Sequence, residues 1–205
     1  RRAVVSSRPA AGAVDFAAMT DPRTEVTLAL SQWQQLYLRH IAHRRIQVPP
    51  FAQRVVVLVP HPDDEVLGLG GTLLGFAGAA QIELVYLTDG RIGKGDRADE
   101  ERMAAVRAAE AREVAARFGF GEPTLIGWNE HTFAQPEHAP ALTARIAEVL
   151  VRVRPDLVFV PFLWEAHGDH RYANHLLAQA MLATGQRPTV CGYEVWSMAP
   201  PGWVV

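Results

Sequence analysis

A chain of 205 residues, 49% apolar and 20% charged, has the size and composition of one domain that buries a core without covalent staples. A formal net charge of -2 offers no basic footprint for nucleic acid or an anionic membrane, and no apolar run reaches the roughly 20 residues of a bilayer-spanning helix. The single cysteine, Cys191, excludes an internal disulfide and fits a reducing, cytoplasmic compartment; beside Thr189 and Val190 it reads as a small buried hydrophobe.

Residues 1–23 are rich in Ala, Arg, Ser and Pro without periodicity and read as a flexible leader. Residues 24–50 read as an N-terminal helix, with Leu28, Leu30, Trp33, Leu36, Leu38 and Ile41 on a partly apolar face, stopped by Pro49-Pro50. Residues 51–205 then alternate strand and helix. Val55 to Val59 is an unbroken apolar, β-branched run, the pattern of a strand buried on both faces of a parallel sheet. It ends at Pro60 and gives way to His61, Asp63, Asp64 and Glu65.

A helix is expected from Gly68 to about residue 79, with its glycines allowing close packing on the sheet. A second strand over 82–87 ends in Thr88-Asp89-Gly90. A helix over 98–118 is closed by Gly119, and a short third strand covers 124–126. Arg107 and Glu110, three apart on that helix, read as a surface pair. The long segment 127–140 holds Trp128, Glu130, His131, Phe133 and His138, a composition that suits binding. A helix over 142–153 leads to a strand over 157–161. That strand runs into Glu165, His167, Asp169 and His170, with a helix expected from Arg171 and a last strand over 190–196. The alternation implies an α/β fold: a Rossmann-like three-layer sandwich with a mostly parallel sheet and its site at the strand carboxyl ends.

Two strand ends therefore each offer imidazole and carboxylate. Acids packed at the end of a buried strand need a cation. Two His nitrogens and one carboxylate oxygen make a catalytic zinc site with a fourth position open.

Pro60-His61-Pro62-Asp63-Asp64-Glu65 and His167-Gly168-Asp169-His170 resemble the paired signatures of the PIG-L/LmbE-like N-acetylglucosaminyl deacetylase family. Thr88-Asp89-Gly90, Arg107 with Glu110, and Tyr193-Glu194-Val195-Trp196 support the likeness, which spans about residues 53–197. It implies a hydrolase holding one Zn2+ per chain, with Fe2+ or another divalent ion as the alternative. The substrate implied is a small molecule or glycoconjugate containing N-acetylglucosamine. Carried over by position, His61, Asp64 and His170 are the metal ligands. Asp63 is the general base that assists attack of zinc-bound water, protonated His167 steadies the oxyanion, and Asp169 orients His167. Glu65 stays open between touching the site and sitting in the following helix's first turn, where the dipole favours an anion. Arg91, Arg97, Trp128 and His131 stand as substrate contacts in the two loops.

Two departures accompany the likeness. Many members carry an acid where this chain has Arg91, and relatives usually continue with further strand and helix beyond Trp196, so the domain reads as truncated or pared down. Two alternatives stand beside the deacetylase: a binding protein that keeps the metal pocket without turnover, and a zinc hydrolase of a different amide.

Overall fold

The computed structural model describes residues 52–93 and 99–195. The expected leader, the N-terminal helix, Arg97 and Trp196 lie outside them. The described residues hold strands β1 (Arg54–Val59), β2 (Gln81–Thr88), β3 (Thr124–Trp128), β4 (Leu157–Pro161) and β5 (Thr189–Tyr193). Between them run helices α1 (Asp64–Phe76), α2 (Glu100–Phe118), α3 (Ala139–Val153) and α4 (Gly168–Thr184), with short 3-10 turns at Glu130–Thr132 and Pro136–His138.

The five strands form one sheet in the order β3-β2-β1-β4-β5, and every pairing is parallel. β1 sits at the centre because its side chains are apolar on both faces. Val55, Val57 and Val59 pack with Leu69, Leu73 and Phe76 of α1 and Ala111 and Ala115 of α2. Val56 and Leu58 point the other way, toward Leu142, Ile146 and Leu150 of α3 and Ala173, Leu176 and Leu177 of α4. Period-two alternation on one strand thus builds two cores and a three-layer α/β sandwich. Each such side chain contributes about 1.5–3 kcal/mol by leaving water.

Chain order reverses at β1. Its sequential neighbour β2 lies on one side and β4 on the other, which opens a crevice at the carboxyl ends of β1 and β4. Both His-and-acid clusters follow those two strands.

Two helix starts differ from expectation in the same way. α1 begins at Asp64 rather than Gly68, and α4 at Gly168 rather than Arg171, so both clusters open helices instead of sitting in loops before them. Anionic side chains in a first turn meet the positive end of the helix dipole, which favours Asp64, Glu65 and Asp169 there. Gly68 then meets Tyr193 so closely that a Cβ would stand 2.6 Å from the ring, the tight helix packing its glycine allows. Among the described residues no helix is long and apolar enough to cross a membrane.

Candidate active site

The crevice gathers three imidazoles and a buried carboxylate. His61 and Asp63 come from the turn after β1, Asp64 and Glu65 from the first turn of α1, His167 from the turn after β4, and Asp169 and His170 from the first turn of α4. His61, His167 and His170 offer ring nitrogens that all lie within 4.8 Å of one another, a grouping that could hold a metal ion.

Asp64 completes the grouping. Its Oδ2 accepts from the His61 backbone N–H at 2.9 Å and stands 3.3 Å from His61 Nδ1 and 3.2 Å from His170 Nε2. Ligands on a tetrahedral ion with bonds of about 2.0–2.1 Å are about 3.3 Å apart, so these spacings suit a zinc-sized cation. His170 is fully buried, yet neither of its ring nitrogens makes a hydrogen bond. The Asp64 approach is close in distance but is not a hydrogen bond, and Glu165 Oε2 stands 3.8 Å from Nδ1. A buried imidazole without a hydrogen bond is the donor that a metal would satisfy. The residues fit a divalent ion.

Electrostatics separate the acids. Burial pushes Asp64 up, but the His170 and His61 imidazoles outweigh it and hold the carboxyl well below the usual range. His61 is opposed by burial, then raised to about 10 by the Asp169 and Asp64 carboxylates. Asp63 behaves oppositely. Burial and the Asp64 charge raise its pKa, while Arg107 and His61 pull it back. A carboxyl raised toward the working pH suits proton transfer better than one held permanently ionised.

The two aspartates point apart because the backbone turns sharply between them. Asp63 has φ 141° and ψ -23°, a conformation that non-glycine residues avoid and that costs of order 1–3 kcal/mol. It occupies the N-cap position of α1 but makes no side-chain cap hydrogen bond. Its carboxylate is exposed and lies 3.6 Å from Arg107 Nη2. A groove of about 290 Å3 opens beside it, with Val66, Leu67, Ala111 and Val114 as apolar walls.

Asp169 and His167 meet a geometry that the sequence pattern does not show. The Asp169 carboxylate is 3.0 Å from His61 Nε2. The link to His167 is instead the Asp169 backbone N–H, which donates to His167 Nδ1 at 3.3 Å across the first turn of α4. Burial and the neighbouring His61 and His170 lower the His167 pKa. With Nδ1 accepting, the neutral ring carries its hydrogen on Nε2 and remains a donor.

Glu65 proves to be a buried residue, 1% exposed, that faces inward rather than toward solvent. Tyr86 Oη donates to its Oε1 at 3.0 Å and the Asp63 backbone N–H to its Oε2 at 3.2 Å. Burial raises it to about 7.

Three of the four expected substrate contacts have protein partners. Arg91 is ion-paired with Asp89 at 2.7 Å and Glu101 at 3.0 Å. The Trp128 ring packs on His138 and against the α3–α4 core. His131 pairs with Glu100 at 3.0 Å, and Arg97 lies outside the described residues. Two other described side chains reach the site. Glu130 Oε1 is 3.6 Å from His61 Nε2 while its Oε2 accepts from Ile92 N–H, and Arg107 faces Asp63. The spacing of Arg107 and Glu110 signalled a helix pair, and they are one, at 3.0 Å. Nothing in that spacing revealed the second contact across the crevice. Buried Glu165, two residues before His167, was visible only as one more acid in the second cluster.

The model of the PIG-L family, described as GlcNAc-PI de-N-acetylase, matches residues 56–181. Diacetylchitobiose deacetylase of Thermococcus kodakarensis is 30% identical over 139 residues, which are 65% of this chain and 51% of that protein. A 1D-myo-inositol 2-acetamido-2-deoxy-alpha-D-glucopyranoside deacetylase of Rhodococcus opacus is 26% identical over 180 residues, 75% of this chain and 61% of that protein. The chain thus spans between half and two thirds of the length of these curated relatives. The solved N,N'-diacetylchitobiose deacetylase from Pyrococcus horikoshii superposes with a TM-score of 0.59 at 22% identity, over 87% of this chain and 71% of that one, and shows the same fold.

Proposed function

The chain belongs to the PIG-L family of GlcNAc-PI de-N-acetylases, and from that membership we propose that it is a zinc-dependent hydrolase that removes the acetyl group from an N-acetylglucosamine-containing small molecule or glycoconjugate. The observation that carries this reading is the Asp64 Oδ2 atom set 3.3 and 3.2 Å from His61 Nδ1 and His170 Nε2, with the buried His170 ring otherwise without hydrogen bonds. His61, Asp64 and His170 would hold the ion. His167 is left out of the ligand set because its Nδ1 already accepts the Asp169 N–H. A zinc ion bound there would supply Lewis acidity, polarising the acetyl carbonyl and acidifying water from a pKa of about 15.7 to about 7.

The protein's own groups do the rest. Asp63, exposed at the crevice and raised in pKa, takes the proton of the attacking water. His167 Nε2–H donates to the oxyanion as the carbonyl becomes tetrahedral; removing one such donor costs about 10²–10³ in rate. Asp169 fixes the His61 ring, the second carboxylate that metal-bound histidines ordinarily have. The amine leaves with a proton returned by Asp63. Arg107 and Glu130, the polar side chains beside Asp63 and His61, are the contacts assigned to the sugar. The relatives' names suggest the first substrates to try: N,N'-diacetylchitobiose and the N-acetylglucosaminyl inositol.

The test is to load the full chain with zinc, measure bound metal, and follow acetate release from both compounds and from other N-acyl amides. Stoichiometric zinc with acetate release supports the proposal. Bound zinc with no release from any amino sugar supports a binding protein, and release from other amides alone would redirect the substrate.

A further inference from the structure

Glu65 is the one acid of the first cluster that neither reaches the ligand set nor faces solvent, and its position needs a reason. Its two oxygens are both engaged. Oε1 takes the Tyr86 hydroxyl from β2 at 3.0 Å, and Oε2 takes the Asp63 backbone N–H at 3.2 Å. Asp63 is pinned from its other side too, because its carbonyl accepts from Val66 N–H at 3.1 Å and Leu67 N–H at 3.0 Å. The residue held by these bonds is the one with φ 141°.

An aspartate at a helix N-cap ordinarily turns its carboxylate back onto the first-turn N–H groups. Asp63 does not. Its carboxylate would be lost to the crevice if it did. Glu65 makes the reverse half of a capping interaction instead, reaching from the first turn back to the cap residue's own N–H. That bond holds the Asp63 peptide in the turned conformation and leaves the carboxylate pointing toward Arg107 and the crevice. Tyr86 in turn fixes the Glu65 carboxylate, and it is itself 1% exposed in the sheet core, where its ring cannot swing away.

We infer that Glu65 and Tyr86 form a positioning pair that holds Asp63 in its strained backbone conformation and so aims the proton-transferring carboxylate. The inference rests on the reading of Asp63 as the base. Neither member of the pair touches substrate or metal; each acts through Asp63.

The test uses the full, zinc-loaded chain with N,N'-diacetylchitobiose. Tyr86→Phe is expected to lower kcat about 10-fold and Glu65→Ala about 100-fold, with KM and bound zinc unchanged, as for misplacement of a reacting group by about 1 Å. Glu65→Gln, which keeps a carbonyl acceptor, is expected to fall between wild type and Glu65→Ala. In an Asp63→Asn background neither Tyr86→Phe nor Glu65→Ala should lower the residual rate further. Unchanged kcat in both single variants, or equal losses with and without Asp63, would overturn the inference, as would loss of zinc from either variant.

Amide hydrogen exchange supplies a readout that needs no turnover. The Asp63 amide is expected to exchange at least about tenfold faster in Glu65→Ala than in wild type, with β1 amides unchanged. Equal exchange at Asp63 would overturn the pair even if the chain deacetylates nothing. Unaltered activity in Asp63→Asn alone would instead sink the base assignment, so the two failures are distinguishable.

Discussion

The two strand ends that build the site are made differently. The turn after β4 is an ordinary helix start: His167 has extended φ and ψ of -70° and 131°, and its side chain caps the Asp169 N–H. The turn after β1 is strained at Asp63, uncapped by its own N-cap side chain, and braced from below by Glu65 and Tyr86. The β4 end contributes rings and an orienting acid. The β1 end contributes a ring and two adjacent aspartates that must face different ways. The positive φ of Asp63 separates the two adjacent carboxylates. Strain falls where the proposed function asks one stretch of chain to carry two chemical duties.

This contrast is most severely tested at the ligands. His170→Ala is expected to lower zinc affinity by about 10²-fold or more, a ligand counting for at least as much as the groups behind it. Equilibrium dialysis against zinc checks this, and His61→Ala should behave the same. A smaller loss follows from Asp169→Asn: about 10–100-fold in zinc affinity, because the acid steadies His61. If that substitution leaves zinc affinity intact and changes rate alone, Asp169 serves His167 after all.

Protons should compete with the metal at the β1 end. His61 is raised to about 10 from 6.5 in the metal-free chain, and a ligand must be neutral to bind. Zinc affinity should therefore climb with pH toward about 10, by about tenfold per unit, with one proton released per ion; isothermal titration in buffers of different ionisation heat counts it. The sign for stability is the reverse. His61 protonation stabilises the metal-free chain fully below its unfolded value of 6.5, and that contribution is lost as pH rises through about 10. Thermal melts of chelator-treated protein over that window should fall, and zinc-loaded protein should not follow the same curve.

The smallest effect on chemistry, though not on folding, concerns Gly68. A Cβ there would stand 2.6 Å from Tyr193 and 2.9 Å from the Glu194 carbonyl, so Gly68→Ala should cost about 1–3 kcal/mol by crowding. Urea denaturation measures it. Rates per folded, zinc-bound molecule should change little.

Much of this architecture can be read from residue order alone. The unbroken apolar run Val55 to Val59 places a doubly buried strand, and two clusters of histidine and acid after two such strands place a metal crevice. Local pattern does not extend to what those residues touch. Asp169 reaches His61 across 108 positions and Tyr86 reaches Glu65 across 21, pairings made by sheet order rather than by spacing. Arg91 looked available for substrate because a loop arginine carries no sign of its partners, here Asp89 and Glu101. α1 and α4 begin four and three residues ahead of the expected starts for a related reason. The residues expected to be loop-bound for chemistry are the same ones a helix N-terminus favours.

The division of labour between the neighbouring aspartates is tested most directly by measuring bound zinc and acetate release in Asp63→Asn beside Asp64→Asn. The account predicts that Asp63→Asn keeps stoichiometric zinc while its rate falls about 10²–10⁴-fold, and that Asp64→Asn loses both. Zinc lost from Asp63→Asn, or a rate unchanged by it, would contradict the account.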